Sequence, residues 1–140
     1  MFVLDTNVVS ELRRPEKADQ QVVAWASSVP LASIFLSAIT VLELELGALL
    51  IERKDKAQGL VLRAWVDGQI MPRFEGRILP VDAAVAQRYA RLHVPDPRAE
   101  RDALIATTVL VHGMTIVTRN TADFELTGVQ ILNPWTGGGV

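Results

Sequence analysis

Short apolar runs alternate with longer segments of helical periodicity along the chain. The apolar runs predict strands, and because they are continuous rather than alternating, both faces of their sheet should be covered. Strands are expected at Phe2–Leu4, Ile34–Leu36, Ile78–Leu79 with Val81, Met114–Val117 and Val129–Leu132. Helices are expected at Asn7–Arg14, Ala18–Val29, Thr40–Arg53, Asp55–Ile70, Ala83–Leu92, Glu100–His112 and Thr121–Leu126.

Prolines, one glycine and one aspartate set several of these boundaries. Pro30 closes the second helix, and the helix that starts at Asp55 should end before Pro72. Pro80 interrupts the third strand, which therefore belongs at a sheet edge or strand end. Asp82 should cap the helix after it, and Gly113 should terminate the helix that ends at His112.

Strands that alternate with helices predict a parallel sheet with helices on both sides, built from right-handed crossovers. The fold class is α/β, in three layers with a short, mainly parallel central sheet. No internal repeat or linker interrupts the chain, so one domain over residues 1–140 is expected. The glycine-rich end, residues 135–140, is expected to be a frayed tail.

The amino-acid composition excludes several kinds of site and several classes of protein. The chain has 140 residues and no cysteine, which excludes disulfides, thiolate metal ligands and a cysteine nucleophile. The first residues carry no signal-peptide pattern, and no apolar stretch approaches the ~20 residues of a membrane helix, so a cytoplasmic protein is expected. A net charge of −2 argues against a general nucleic-acid binder, but not against an enzyme that binds nucleic acid through a bound dication.

Acidic residues recur where strands end. Asp5 directly follows the first strand, Glu43 lies early in the helix after the second, and Asp123 follows the fourth. Ligands of open parallel sheets bind at this edge. Asp102 opens the helix that leads into the fourth strand, and it joins the other acids if that helix starts at the same edge.

Each acid alone is better explained as a helix cap than as a catalytic residue, since Asp and Glu favour first turns, although for Asp5 the two explanations are equal. Together they are harder to explain structurally, because each close carboxylate pair costs roughly 4 kcal/mol at ~4 Å and an effective dielectric of ~20. A cation would remove that cost. Oxygen ligands without cysteine or clustered histidine favour a hard cation, Mg²⁺ or Mn²⁺.

Four segments carry a resemblance to a known family. Val3–Asn7 contains the motif Asp-Thr-Asn, Ser37–Gly47 reads SAITVLELELG, Asp102–Gly113 reads DALIATTVLVHG, and Thr118–Phe124 reads TRNTADF. In this order and spacing the chain resembles PIN-domain ribonucleases, and among them the VapC-type toxins of bacterial toxin–antitoxin pairs. The ending Leu132–Trp135 is also similar.

The resemblance implies a PIN-like fold and a metal-dependent endoribonuclease that acts as the toxin of a type II toxin–antitoxin system. RNA would be the substrate, a small antitoxin protein the partner, and the chain would form a homodimer. The metal-binding acids would be Asp5, Glu43, Asp102 and Asp123, and the supporting polar residues Asn7, Thr118 and Asn120. Periodicity does not choose between Glu43 and Glu45, whereas the motif favours Glu43 and leaves Glu45 for a partner contact.

Several other residues have more than one possible role. Arg98, Arg101 and Arg119 lie near the acids and either contact RNA phosphates or form surface salt bridges. His93 and His112 lie at helix ends, where capping or exposure is expected. The segment Gly59–Met71 offers an apolar face for dimerisation, made of Leu60, Val61, Ala64, Trp65 and Ile70.

Two other functions compete with the nuclease. Haloacid-dehalogenase-like phosphatases also begin with a strand that ends in aspartate, but they need a second aspartate where this chain has Asn7. A non-catalytic binding module with a PIN-like fold would have lost some of the acids, yet all four are present.

Overall fold

Five parallel strands form the central sheet of the computed structural model, which describes residues 1–136. The strands lie in the order β3-β2-β1-β4-β5, and every pair of neighbours is parallel. Their bounds are β1 Phe2–Leu4, β2 Ile34–Ser37, β3 Ile78–Leu79, β4 Thr115–Val117 and β5 Gln130–Leu132. This order confirms the predicted parallel sheet and places β3 at an edge, as Pro80 indicated.

Seven α-helices connect or flank the strands in the described part of the chain. They are α1 Thr6–Glu11, α2 Gln20–Ser28, α3 Ala38–Lys54, α4 Lys56–Trp65, α5 Met71–Arg73, α6 Ala83–Leu92 and α7 Glu100–His112. The aspartates before α1, α2, α4 and α6 each accept a backbone N–H of the following first turn, and Ser37 does the same for α3. Gly113 ends α7 at φ +63°, a left-handed conformation that favours glycine.

Two apolar clusters cover the two faces of the sheet. Neighbouring strand residues alternate between them: Val3 packs in one cluster and Leu4 in the other, and Ile116 and Val117 do likewise. The Leu4 cluster includes side chains from α1, α2 and the segment after α4, whereas the Val3 cluster includes three residues of α7. The result is the predicted α/β/α arrangement, with apolar strand residues packed on both faces of the sheet.

The segment after α4 differs from the prediction. The helix does not end before Pro72, because a π-helical turn over Val66–Ile70 joins α4 to α5. In this turn the Met71 N–H bonds to the Val66 carbonyl five residues back, and proline, which has no N–H, enters at the start of α5. The predicted helix at Thr121–Leu126 is instead two 3-10 turns, Thr121–Asp123 and Glu125–Thr127.

The start of the expected frayed tail is ordered. Pro134–Thr136 form a 3-10 turn, the Asn133 side chain accepts the Trp135 N–H at 2.9 Å, and Trp135 packs against the Leu4 cluster. A tail from residue 135 is therefore wrong for these two residues, and the remainder of that prediction, 137–140, lies outside the described residues. Among residues 1–136 no helix is long and apolar enough to cross a membrane.

Candidate metal and active site

The sheet order places the candidate site between its two central strands. The chain runs from β1 outward to β2 and β3, then returns to the other side of β1 with β4 and β5. At such a reversal the crossovers leave in opposite directions and open a crevice above the carboxyl ends of the strands. Asp5 follows β1 and Thr118 follows β4, and the pairing of Leu4 with Val117 brings these two residues side by side.

Asp5 is buried and held by three hydrogen bonds. Its Oδ1 accepts the backbone N–H of Thr6 at 2.8 Å, which caps α1, so the capping role weighed for this residue is real. Its Oδ2 accepts the Thr118 hydroxyl at 2.8 Å and the Asn7 amide at 3.2 Å. Both Asp5 and Thr118 are at most 5% exposed. The carboxylate is therefore fixed in one orientation before any ligand binds.

Glu43 is fixed from the same side by a residue that sequence reasoning passed over. The Thr6 hydroxyl lies 2.6 Å from Glu43 Oε1 and 3.2 Å from the hydroxyl of buried Thr40. In the sequence analysis Thr6 had no role in the site. The available signal was its place inside the motif Asp-Thr-Asn, directly after Asp5. The motif thus links the acid that follows β1 to the acid on α3.

Asp102 and Asp123 are brought together without such support. They line one cleft of about 250 Å³ with Arg98 and Thr127. Asp102 is on the first turn of α7, and its pKa is affected by the charges of the other three acids, so this end of α7 lies at their edge of the sheet, which was the condition for Asp102 to join them. Neither carboxylate accepts a hydrogen bond from any residue in the described range 1–136. Their orientation is set by charge and backbone position only.

The acids act on one another's pKa. Burial raises the pKa of Asp5, the hydrogen bonds from Thr118 and Thr6 lower it, and the charges of Glu43 and Asp123 raise it further. The pKa of Asp102 is raised to about 6 by burial first, then by the charges of the other three acids, against a lowering by Arg101. All four predicted acids therefore lie within one electrostatic environment.

The donor set fits a hard divalent cation. In the part of the chain that the structure describes, no three acidic or histidine side chains already surround one point. Magnesium does not require this, because proteins usually hold it through one or two carboxylates while water and substrate phosphate fill the other positions. Uncompensated negative charge around Asp5 and Asp102 supplies the attraction, and the untethered Asp102 and Asp123 side chains can turn toward a cation.

The remaining polar residues predicted for the site take different positions. Asn7 bridges the two central strands, since its amide donates to Asp5 and its oxygen accepts the Arg119 N–H at 3.3 Å. Asn120 touches the site through its backbone, whose N–H donates to the Thr118 hydroxyl at 3.0 Å. The Asn120 side chain makes no hydrogen bond to another residue among 1–136.

The three arginines expected near the acids already have partners. Arg98 donates to the carbonyls of Leu92 and Leu126, and the Arg119 guanidinium lies 5.3 Å from the centre of the Trp135 ring. Arg101 lies 3.6 Å from Glu43 Oε2, with its side chain 51% exposed. The salt-bridge reading thus describes Arg101, while Arg98 mainly ties the loop before α7 to the 3-10 turns after β4.

Four other residues have structural roles. Glu45 forms a salt bridge with Arg63 at 2.8 Å, so it ties α3 to α4. His93 terminates α6, where its Nδ1 accepts the Arg98 N–H at 3.2 Å, and Asp82 caps the same helix. Ile70 of the proposed dimer face is buried at 5% exposure and belongs to the core.

The chain is similar in sequence and fold to known proteins. The sequence model of the PIN domain family matches residues 2–129. The chain is 44% identical to toxin FitB of Neisseria gonorrhoeae, over 96% of this chain and 99% of the relative. It is 36% identical to VapC ribonuclease Y4jK of Sinorhizobium fredii, over 96% and 98% of the two chains.

A solved structure described as FitAcB from Neisseria gonorrhoeae superimposes with a TM-score of 0.87 at 41% identity, covering 96% of this chain and 99% of that one. The match excludes the phosphatase alternative, whose motif already lacked its second aspartate at Asn7. With a family match over most of its length, four acids at the reversal of its parallel sheet, and relatives aligned from end to end, the chain belongs to the PIN domain family.

Proposed function

We propose that the protein is a metal-dependent endoribonuclease and the toxin of a type II toxin–antitoxin pair. The observation that carries the enzymatic part is the meeting of four carboxylates from four elements at the sheet reversal, where the pKa of Asp5 and that of Asp102 are both raised. A fold keeps such repulsion where a cation or proton offsets it. The toxin role rests on the relatives named toxin FitB and VapC ribonuclease.

PIN-domain ribonucleases generally use divalent metal ions. We propose Mg²⁺ or Mn²⁺ here, because every candidate ligand is a carboxylate oxygen. Asp5 would bind it from a fixed position, and Asp102 and Asp123 would complete the site. Such a cation activates water and offsets the negative charge that builds up on a phosphodiester during in-line attack.

The chain's own residues orient the acidic side chains and offset charge at the site. Thr118 and Asn7 hold the Asp5 carboxylate against rotation, and Thr6 holds Glu43. Burial and the neighbouring acids raise the pKa of Asp102 to about 6, and positive charge arriving at the site would lower it again and favour the ionised carboxylate. Arg101, bound to Glu43 and exposed, lies where a phosphate would approach.

The proposal is tested by RNA cleavage with Mg²⁺, with Mn²⁺ and with EDTA. Cleavage should require the metal, and Asp5→Asn should abolish it, because the amide removes an anionic ligand at nearly constant shape. The matched control is Asp82→Asn, at an aspartate that caps α6 through the Val85 N–H at 3.1 Å. Asparagine caps about as well as aspartate, so this variant should cleave RNA at the wild-type rate.

Undiminished cleavage in EDTA, or by Asp5→Asn, would contradict the metal-dependent mechanism. Loss of cleavage together with loss of the folded state would instead make Asp5 a structural residue. Circular dichroism and the melting temperature of each variant separate these two results.

As a toxin, the protein should be encoded beside a small antitoxin that places a basic residue in the acidic cleft. Co-expression should give a stable complex that does not cleave RNA, and the antitoxin should bind Asp5→Asn/Asp102→Asn more weakly than it binds the wild-type chain. An active nuclease with no antitoxin gene beside it would contradict the toxin role and leave the nuclease proposal standing.

We also propose a homodimer that forms through α3 and α4. Several large apolar side chains on these helices are between 44% and 52% exposed, namely Leu42, Leu49, Leu50, Leu60 and Val61. A monomeric protein rarely leaves so many apolar side chains on adjacent helices in water. Light scattering should give a mass near twice 15.4 kDa, and Leu50→Lys/Val61→Lys should give a monomer.

A further inference from the structure

A small pocket lies between α1 and the helical segment that runs from the end of α4 into α5. Its volume is about 150 Å³, and its apolar walls include Val9 and Leu12 of α1 and Ile70 and Phe74 of the other segment. Val9, Ile70 and Phe74 are at most 5% exposed, so the core of the protein fixes these walls. An apolar cavity of this volume is large enough for one benzene ring. The pocket therefore has the size and the lining for a small aromatic group.

The same pocket is lined by three side chains that carry hydrogen-bond donors, namely Arg13, Gln69 and Arg73. None of these side chains forms a hydrogen bond or a salt bridge with another residue among 1–136. No acidic residue in this range lines the pocket. Two guanidinium charges and one amide therefore have no anionic or carbonyl partner within the described part of the chain.

Arg13 differs from an ordinary surface cation. It is half-buried, and its guanidinium lies 5.9 Å from the centre of the Trp65 ring, which also lines the pocket. Water solvates a guanidinium on an open surface, whereas a half-buried one is less well hydrated and gains more from a charge-assisted hydrogen bond. The aromatic ring attracts the guanidinium without neutralising its charge. An anion in the pocket would therefore be attracted to Arg13, and also to Arg73.

The π-helical turn over Val66–Ile70 forms part of the pocket. Gln69 and Ile70 of this turn both line it, and Ile70 packs in the core while Gln69 is exposed. Such turns are rare, and they occur frequently at functional sites. The turn is thus a second feature, independent of charge, that indicates a binding site at this position.

We infer that this pocket binds a small arylcarboxylate, with its ring between the apolar walls and its carboxylate accepting hydrogen bonds from Arg13 and Arg73. Arginine suits this role because its planar guanidinium can donate to both oxygens of a carboxylate. The apolar walls disfavour an anion without an apolar body, such as inorganic phosphate. The inference goes beyond the proposed nuclease and does not depend on it, because none of the four acids of the metal site lines this pocket.

The test compares two probes of nearly identical shape, phenylacetate and its neutral amide, phenylacetamide. Binding to the protein in EDTA at neutral pH is measured by isothermal titration calorimetry. NMR spectra recorded during the same titrations follow the indole N–H signal of Trp65, which is assigned with Trp65→Phe. The calorimetry gives the two Kd values, and the indole signal shows whether the probe occupies this pocket.

Two double variants lose the same charge at different places. Arg13→Gln/Arg73→Gln removes both cations of the pocket, whereas Arg88→Gln/Arg91→Gln removes two exposed cations of α6 that do not line it. A further variant, Gln69→Trp, keeps both arginines and places a large side chain at an exposed position of the pocket wall. Circular dichroism checks that each variant is folded.

The wild-type chain should bind phenylacetate at least about tenfold more tightly than phenylacetamide, because hydrogen bonds between ionised groups are roughly twice as strong as neutral ones. Arg13→Gln/Arg73→Gln should remove this preference and change the Kd of phenylacetamide much less. The α6 variant should bind both probes as the wild-type chain does. Gln69→Trp should bind neither probe, because the indole occupies the space of the ring.

Equal Kd values of the two probes for the wild-type chain would overturn the inference, and so would the absence of phenylacetate binding at millimolar concentration. An equal loss in the two double variants would show general attraction of anions to the surface and would contradict a site at Arg13 and Arg73. If neither probe binds and Gln69→Trp instead loses a protein partner, the pocket is a protein interface and the inference is wrong. Failure of the nuclease proposal would leave every one of these results unchanged.

Discussion

Asp5 and Asp102 belong to the same acidic site, but the protein holds them in different ways. Asp5 accepts hydrogen bonds from Thr6, Asn7 and Thr118, and its partner acid Glu43 is bound by Thr6. Asp102 receives no hydrogen bond from residues 1–136, and burial with neighbouring negative charge raises its pKa to about 6. One half of the site is fixed by hydrogen bonds and the other is left under electrostatic strain.

The difference indicates a division of labour. Hydrogen bonds to a carboxylate stabilise its charged form, so the half around Asp5 is ready to bind a cation without rearrangement. The half around Asp102 and Asp123 gains most from a cation, because among residues 1–136 no hydrogen bond supports its carboxylates and Arg101 only partly offsets the charge of Asp102. Binding of a metal should therefore order the second half onto the first.

The largest expected effect is the loss of RNA cleavage in variants of the two acids, and these variants should differ in thermal stability. Both Asp5→Asn and Asp102→Asn should reduce RNA cleavage on the order of a thousandfold, since each removes several kcal/mol of interaction with the metal. In EDTA, however, only Asp102→Asn should raise the melting temperature, by about 3 °C for ~1 kcal/mol of relieved repulsion. Differential scanning calorimetry of both variants at neutral pH measures this.

Repulsion alone would predict that Asp5→Asn is stabilising too. The hydrogen bonds argue against this, because an asparagine amide would face the donating groups of Asn7 and Thr118. Equal stabilisation by the two variants would show that the hydrogen bonds of Asp5 contribute little and would remove the contrast between the halves.

A second prediction concerns a variant that removes one of the hydrogen bonds to Asp5. Thr118→Val keeps the shape of a fully buried side chain but deletes the hydroxyl that donates to Asp5. We expect a loss of about 1–2 kcal/mol in the free energy of unfolding and a further rise in the pKa of Asp5. The acidic limb of the pH–rate profile should then move to higher pH.

The matched control is Thr107→Val. Thr107 is also fully buried, but its hydroxyl donates to the Ala103 carbonyl of its own helix at 2.6 Å. This variant should leave the acidic limb where the wild-type chain has it. A shift of the limb in both variants would mean that it reports general loosening of the fold rather than the Asp5 carboxylate.

The contrast also predicts how stability depends on pH. The pKa of Asp102 is about 6 in the folded chain, above its value of ~3.9 in the unfolded chain. The folded state binds more protons between these values, so metal-free stability should fall as pH rises from about 4 to 6 and stay lower above. Since Asp102 is partly exposed, the expected size is on the order of 1 kcal/mol.

Melting temperatures in EDTA across this range check the sign. Asp102→Asn should flatten the curve, and Mn²⁺ should raise the melting temperature most where the wild-type loss is complete, above about pH 6. A wild-type melting temperature that instead rises through the same range would contradict the raised pKa of Asp102.

The smallest effect concerns Arg101, which lies 3.6 Å from Glu43 and lowers the pKa of Asp102. Its side chain is 51% exposed, so Arg101→Gln should change the free energy of unfolding by less than about 0.5 kcal/mol. If it contacts an RNA phosphate, KM should rise a few-fold with kcat unchanged. A larger fall in kcat would place it in the reaction itself.

The two halves also differ in how far the sequence predicts them. Asp5 follows a continuous apolar strand, and β4 is recognised from the sequence in the same way. The topology of the sheet therefore brings Asp5 beside Thr118 with little ambiguity. The predicted position of Asp102 depended on where α7 begins. The loop at residues 93–99 determines that start, and helical periodicity does not locate it. The hydrogen bond from Thr6 to Glu43 spans 37 residues and is visible only in three dimensions.

The errors have the same origin. Pro72 is an ordinary helix stop, yet the π-helical turn over Val66–Ile70 carries the chain onward, with Val66 and Ile70 packed in the core. Periodicity could not choose between Glu43 and Glu45, and the two differ in the structure through a contact with a neighbouring helix, since Glu45 binds Arg63. Tertiary contacts, rather than local preference, decide each of these cases.

The most direct test of the central claim is a crystal of the protein soaked with Mn²⁺. We expect an anomalous peak about 2.0–2.2 Å from a carboxylate oxygen of Asp5, with Asp102 or Asp123 turned toward the same ion and the Thr118–Asp5 hydrogen bond intact. A peak bound by other residues, or a fully occupied Mn²⁺ that leaves Asp5 without contact, would contradict the assignment of these acids as the metal site.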